Sequence, residues 1–227
     1  MQTMQRLNRE LWLAFWFVIA ITLVYLYVTI SKNQTPAASG LFGHSLGIAG
    51  FLLMLMTETL YSIRKRVRTA RWGRMSIWLQ FHIFTGLVGP YMVLLHSSWK
   101  FNGLAGIVML LTVLIVISGF IGRYIYTSIP RTIDGVEIEA GELERGIAAL
   151  EAEINSRQSK PEGKNTSKEL QRLFKRRKRI QRQITTLSFS RRMMALWHTV
   201  HIPVGLALFS AAFIHIVAAI YYASLLR

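Results

Sequence analysis

The chain of 227 residues is 52% hydrophobic and only 17% charged, and its formal net charge is +16. Nine of its eleven acidic residues lie between Asp134 and Glu169, so the rest of the chain is apolar and almost free of acids. A water-soluble core of this size does not need so much apolar sequence, which excludes a soluble enzyme. The lack of cysteine also excludes disulfides, thiolate-held iron–sulfur clusters and covalently attached c-type haem.

Five apolar segments are long enough to cross the roughly 30 Å hydrocarbon core of a bilayer. They run over Leu11–Ile30, Leu41–Ile63, Ser76–Ser97, Leu104–Ile129 and Met193–Leu226. The first resembles a signal peptide because arginines precede it, but its apolar run of about 20 residues exceeds a signal core. We therefore predict an all-α integral membrane bundle of five transmembrane helices in contact with membrane lipid.

Connections between the apolar segments are alternately rich and poor in lysine and arginine. Arg6 and Arg9 precede the first segment, six cations separate the second from the third, and the basic 130–192 segment separates the fourth from the fifth. Only Lys32 and Lys100 lie in the other two connections. The positive-inside rule predicts a multi-pass protein of a bacterial-type cytoplasmic membrane, with a cytoplasmic N-terminus and an outer C-terminus. Because the cations flank apolar segments, we expect no nucleic-acid partner.

We predict three parts of the chain. Residues 1–129 contain the first four spans, residues 130–192 form a cytoplasmic helical hairpin, and residues 193–227 contain the fifth span. Apolar side chains recur at helical spacing on both sides of a turn at Gln158–Thr166. They are Leu143, Ile147, Leu150 and Ile154 before the turn and Leu170, Leu173, Ile180, Ile184 and Leu187 after it. The acidic first arm and basic second arm suit either a self-paired stalk or a docking arm for a soluble redox partner.

All six histidines fall within predicted spans, where ionisable side chains are costly and usually functional. His82 and His96 are 14 residues apart on the third span, and His201 and His215 are 14 apart on the fifth. Fourteen residues advance a helix by about 21 Å and return to within about 40° of the same face. Each helix therefore presents one imidazole near each membrane surface, and we expect His82 to pair with His201 and His96 with His215.

The two histidine segments also match each other without gaps. Gly86 follows His82 by four residues and Gly205 follows His201 by four, on the same face of each helix. A glycine there lets a flat, bulky group approach the backbone. Two imidazoles from facing helices fill both axial positions of a haem iron, which favours two bis-histidine haems over histidines that only bridge helices. Imidazoles about 21 Å apart cannot share one zinc site.

The His-x13-His doublet on two helices, each with its glycine, resembles the di-haem four-helix core of the cytochrome b superfamily. The five-span layout is similar to that of the membrane cytochrome b subunits of nitrate reductase and hydrogenase. The resemblance covers mainly the second to fifth spans, and it implies that His82, His96, His201 and His215 are axial ligands of two haem b groups. The Pro-Glu-Trp-Tyr signature of quinol oxidation in bc-type complexes is absent from the sequence, so we do not assign a bifurcating mechanism.

Four further ionisable residues are candidates for supporting roles. His198 lies one turn before His201 and suits a contact with a haem propionate or a quinone rather than with iron. His44, near the outer end of the second span, suits binding a quinone oxygen, carrying a proton or capping its helix. Arg123 suits an interfacial position or the carboxylates of an inner haem. Glu58 suits a pair with a loop arginine or proton transfer to a quinone.

These observations predict an electron-transfer subunit of an oxidoreductase complex, with two haem b groups and a quinone as a further candidate ligand. It would carry electrons across the membrane between a quinone pool and a partner redox protein. The strongest alternative is a transporter or channel in which the histidines relay protons or ions. Another alternative is a membrane anchor subunit whose haem is only structural.

Overall fold

The structure is a computed structural model that describes residues 9–66, 75–127, 140–159 and 164–225. Within these residues every regular element is an α-helix. The helices are α1 (Arg9–Lys32), α2 (Leu41–Arg66), α3 (Met75–His96), α4 (Gly103–Thr127), α5 (Ala140–Gln158) and α6 (Lys164–Leu225). The predicted all-α class is confirmed.

Five of the described helices are long and apolar enough to cross a membrane, as the hydropathy pattern predicts. The first four predicted spans correspond to α1–α4. The fifth is the last part of α6, a helix of 62 residues that also contains the second arm of the predicted hairpin. No glycine or proline lies between Lys164 and Pro203, so nothing in the sequence ends the helix before the span begins. The second arm and the fifth span are therefore one helix rather than two.

Several residues on which the sequence predictions depend lie outside the described part of the chain. They are Arg6, the loop cations Arg68, Arg71 and Arg74, Ile129, Asp134, Pro161, Glu162 and Leu226. The orientation of the termini and the side of the membrane on which the hairpin lies stay predictions.

The helices form two compact units, residues 1–119 with 202–227 and residues 120–201. In the first unit, α2, α3, α4 and the last part of α6 share one apolar core. Its members include Met54, Val93, Val108, Leu208 and Ala212. The fully buried Thr85 and Thr112 donate their hydroxyl hydrogens to carbonyls of their own helices, so neither hydroxyl is left unpaired in this core.

Helix α1 packs against α3 in the same unit. The Phe17 and Phe84 rings meet edge to face at 5.2 Å, and the Thr22 and Tyr91 hydroxyl groups are 2.5 Å apart. Tyr25 of α1 is buried beside residues of α2 and α3. These contacts make α1 part of the helix bundle of the first unit.

Large apolar side chains cover the outer surface of the first unit. Leu23 is 62% exposed, Leu110 is 60% exposed and Ile220 is 65% exposed. Soluble monomers rarely leave contiguous apolar surface of this extent in water, whereas helices that face lipid require it. The exposure therefore agrees with the five candidate spans in indicating a multi-pass membrane protein.

Helices α2 and α3 approach each other closely at two glycines. A Cβ atom at Gly50 would lie 2.8 Å from the Gly89 carbonyl oxygen, and one at Gly89 would lie 2.9 Å from the Gly50 carbonyl oxygen. Only hydrogen fits at both positions, which is how small residues allow close helix packing in membranes. This crossing fixes the register between the two helices.

The second unit pairs α5 with the first part of α6. Two ion pairs join the arms, Glu151 with Arg177 at 2.6 Å and Arg157 with Glu169. The residue with the lower number on α5 pairs with the residue with the higher number on α6, so the two arms are antiparallel, as the hairpin prediction requires. The inward positions that the periodicity predicts include buried residues on both arms, Leu143, Leu150, Ile154 and Leu187.

We expect Gly89→Leu to destabilise the first unit, because a leucine at the crossing must separate α2 from α3. Overpacking of this kind costs about 1–3 kcal/mol. Thermal unfolding followed by circular dichroism in detergent should show a lower midpoint than for the unsubstituted chain. Gly119→Leu is the control, since a Cβ at Gly119 meets nothing within 4 Å. Equal midpoints for the two variants would contradict the packing role of the crossing.

Candidate functional site

The two histidines of α3 both hydrogen-bond to backbone carbonyls of α2. His82 Nδ1 lies 3.0 Å from the Thr57 oxygen, and His96 Nδ1 lies 2.8 Å from the Gly43 oxygen. A carbonyl oxygen only accepts, so Nδ1 must carry the hydrogen in both rings. The remaining nitrogen, Nε2, is then unprotonated in the neutral ring. Each imidazole is held in the form that can donate its Nε2 lone pair to a metal.

These two hydrogen bonds are arranged symmetrically about the glycine crossing. Gly50 lies seven residues from both Gly43 and Thr57, and Gly89 lies seven residues from both His82 and His96. Seven residues are about 10 Å of helix and return to nearly the same face. In antiparallel helices, one close crossing therefore brings both imidazoles opposite carbonyls at the same spacing. The 14-residue histidine spacing of α3 is matched by a 14-residue spacing of hydrogen-bond acceptors on α2.

The surroundings of His82 are polar and aromatic. The Tyr61 ring lies 4.9 Å from the His82 ring, one helical turn beyond Thr57. The Thr57 hydroxyl also donates to the hydroxyl of Thr85 at 2.7 Å, which ties α2 to α3 at the same level. Glu58 interacts electrostatically with His82. The neighbours of His82 therefore include an aromatic ring, a pair of threonine hydroxyls and an acidic residue.

The surroundings of His96 differ, because two further histidines are near. The His44 ring lies 6.2 Å from the His96 ring at an interplanar angle of 64°, and His215 also interacts electrostatically with His96. A Cβ at Gly47 would lie 2.9 Å from three atoms of the His96 ring. Glycine at this position is therefore what lets the ring reach the Gly43 carbonyl.

The C-terminal ends of α1 and α3 are tied together near His96. Trp99 has a positive φ of 62°, just after α3 ends. The preceding Ser98 donates its hydroxyl hydrogen to the Pro36 carbonyl at 2.6 Å, which joins the connection after α3 to the one after α1. His44 is exposed in this region, and its Nδ1 lies 3.4 Å from the Gly40 carbonyl of its own segment. The Gly40 carbonyl already accepts the backbone N–H of His44 at 2.8 Å, so this contact caps no free backbone group, and the role of His44 stays a prediction.

The histidines of α6 divide between the two units. His198 donates from Nδ1 to the Met194 carbonyl one turn earlier, at 2.9 Å. The His201 ring stacks on Trp197, with centroids 4.4 Å apart and planes 29° apart. Both belong to the second unit, whereas His215 belongs to the first and is half-buried. His215 interacts electrostatically with His96, and both predicted pairings stay predictions.

The other predicted site residues have ordinary surroundings. A Cβ at Gly86 would lie 3.4 Å from Thr57 Cγ2, and one at Gly205 would lie 3.8 Å from Ile115 Cδ1. Neither distance requires glycine, so in this structure their role in admitting a flat ligand stays a prediction. Arg123 is half-buried near the end of α4. In the described part of the chain, no group of three or more His, Cys, Asp or Glu side chains forms a metal site.

Sequence reasoning missed the residues of α2 that hold the histidines. Gly43, Gly47 and Gly50 recur at steps of four and three, the spacing of one helix face, and this small-residue stripe is visible in the sequence. It indicates close packing but does not identify the partner helix. The carbonyl acceptors at Gly43 and Thr57 carry no sequence signal, because every residue has a carbonyl.

Comparison of the chain with protein-family models, with curated protein sequences and with solved structures finds no match.

We expect the imidazoles of His82 and His96 to adopt the same tautomer in solution, with the hydrogen on Nδ1. In histidine-¹⁵N-labelled protein in detergent at pH about 8, where imidazole is neutral, ring shifts should report protonated Nδ1 and unprotonated Nε2 for His82 and His96. Gly47→Ala should mix the tautomers of His96 alone, because the added Cβ would displace that ring. Gly119→Ala is the matched control. A protonated Nε2 on both rings of the unsubstituted chain would contradict the hydrogen-bond assignment.

Proposed function

We propose that the chain is a di-haem b-type cytochrome of the membrane, carrying electrons between a quinone pool and a partner redox protein. The observation that supports this most is the matched pair of hydrogen bonds on α3. His82 and His96 both donate from Nδ1 to α2 carbonyls and so keep Nε2 available at two levels of one bundle.

The donor set fits haem iron. Metal-bound histidines almost always donate their other ring nitrogen to a carbonyl, a carboxylate or water, which fixes ring orientation and raises ligand basicity. His82 with His201, and His96 with His215, would hold the irons of two haems. Bound haem would supply one-electron chemistry, and two histidine ligands per iron favour electron transfer over oxygen binding.

The protein's own contribution is orientation and exclusion of water. The Thr57 and Gly43 carbonyls orient the α3 imidazoles, and the close glycine crossing holds both carbonyls at the required spacing. The apolar core of the first unit supplies a low-dielectric environment. His198, His44 and Arg123 are the residues that we assign to contacts with a propionate or a quinone.

A histidine-based proton or ion transporter is the second candidate. It is favoured by the hydrogen bonds themselves, since His82 and His96 bridge two helices without any cofactor. It predicts a purified protein with no visible absorption. A membrane anchor with structural haem predicts haem that quinol analogues neither reduce nor oxidise.

The decisive experiment is a reduced-minus-oxidised spectrum of the purified chain with a pyridine haemochrome titration. We expect about two b haems per chain, because two pairs of imidazoles fill two sets of axial positions. A quinol analogue should reduce them. A colourless protein that is folded by circular dichroism would refute the proposal and favour the transporter.

Single ligand substitutions should remove the haems one at a time. His96→Ala and His215→Ala should each lower haem content from about two per chain to about one, because both residues would serve the same iron. His44→Ala is the matched control, since His44 lies beside His96 and is not assigned to iron. Loss of both haems from a folded His96→Ala variant would contradict the predicted pairing.

His201, rather than His198, should hold the second haem. His201→Ala should lower haem content by about half, whereas His198→Ala should keep both haems and change a midpoint potential or the rate of reduction by quinol. The Nδ1 of His198 is bonded within its own helix, and its 17-residue separation from His215 rotates it about 100° away from that ligand's face. Haem loss from His198→Ala with retention in His201→Ala would reverse the assignment.

A further inference from the structure

The first part of α6 has two opposite faces with different contacts. Ile180 faces α5, since a Cβ at Gly146 would lie 3.7 Å from its Cδ1, and Arg177 faces the same side through its ion pair with Glu151. Leu187 is also buried. At 100° per residue, Arg182 projects about 160° away from Ile180. The side chains around Arg182 therefore point away from α5.

The outward face is basic. Lys175, Lys178 and Arg179 project within about 60° of Arg182, and all four side chains are exposed. They line a shallow surface cleft with Gln183 and Thr186. We call these four residues the basic face. Anionic groups that enter this cleft would meet several cations at once.

The hairpin's own acids pair with other cations. Glu151 pairs with Arg177, while Glu153 and Glu169 pair with Arg157. Within the described residues no ion pair joins the basic face to a carboxylate. Among the described residues, the ion pairs between the arms therefore do not include the basic face.

We infer that the basic face is the docking surface for a carboxylate-rich surface of a soluble partner protein. Charge complementarity is the argument for this partner, since clustered exposed cations steer acidic partners and set their orientation. The partner's identity as an electron-transfer protein rests on the proposed function, whereas the binding itself does not.

An anionic lipid surface fits the basic face less well. A helix that lies on a membrane inserts a continuous apolar face beside its cations. In this part of α6, Ile180 faces α5 and Leu187 is buried, and the cations are interspersed with polar Gln183, Thr185 and Thr186. Phe174 and Phe189 are both exposed, but they are 15 residues apart on α6, so about 22 Å of helix separates the two rings and they form no continuous apolar face.

The test uses the full chain in phosphatidylcholine nanodiscs and a fluorescent glutamate-rich peptide as the carboxylate probe. Lys178→Gln with Arg182→Gln removes two charges from the basic face. Arg176→Gln with Arg192→Gln is the control, since these exposed side chains project about 120° and 80° away from Arg182. At low salt we expect the face variant to bind the peptide about tenfold more weakly, with a shallower salt dependence, and the control variant within about twofold.

Phosphatidylglycerol vesicles serve as the second probe. Two results would overturn the inference. Equally weakened peptide binding in the two variants would show that binding depends on overall charge rather than on the basic face. Absence of peptide binding by the unsubstituted chain would show that the basic face binds no carboxylate-rich surface. A face variant that loses vesicle binding but keeps peptide binding would identify a lipid surface instead. Haem content is measured on the same samples. Peptide binding by a haem-free chain would refute the proposed function and leave the basic face intact.

Discussion

The close crossing of α2 and α3 at Gly50 and Gly89 is the constraint on which the rest of the candidate site depends. It sets both the separation and the register of the two helices, and a register shift of one residue would turn each carbonyl about 100° away. His82 and His96 reach their acceptors because both lie seven residues from the crossing. One packing contact thus positions two imidazoles that are about 21 Å apart.

From the sequence alone, histidines that bridge helices and histidines that bind haem iron are alternative interpretations. The crossing makes the two compatible. An imidazole that bridges helices and an imidazole that binds iron use different nitrogens. The bridge in this structure uses Nδ1 in both rings, and Nε2 is left with its lone pair. Bridging is therefore the condition that would make each ring a well-oriented ligand, rather than the alternative to ligation.

The sequence predicted the features that follow from periodicity within one segment. The five spans, the helical arms and their buried positions such as Leu187 depend only on hydropathy and on helix geometry, and the structure confirms them. It did not predict features that depend on register between segments, such as the carbonyl partners of His82 and His96 or the nearness of His44 to His96. The continuous α6 was missed because a charged arm and an apolar span differ in composition, and composition does not end a helix.

The approximate symmetry of the α2–α3 pair ends at the side chains beside the imidazoles. Glu58 interacts electrostatically with His82, whereas His44 and His215 interact with His96, so the two ends of the pair differ in their ionisable neighbours although their backbone contacts are equivalent. A carboxylate stabilises positive charge near it, and a neighbouring imidazole offers no such stabilisation. Under the proposed function, equal ligation with unequal nearby charge would give two sites of one coordination type different affinities for an electron. Such a difference gives electron transfer across a bundle a preferred direction, and here it would arise in part from Glu58 and His44, two α2 side chains that the proposal does not assign to iron.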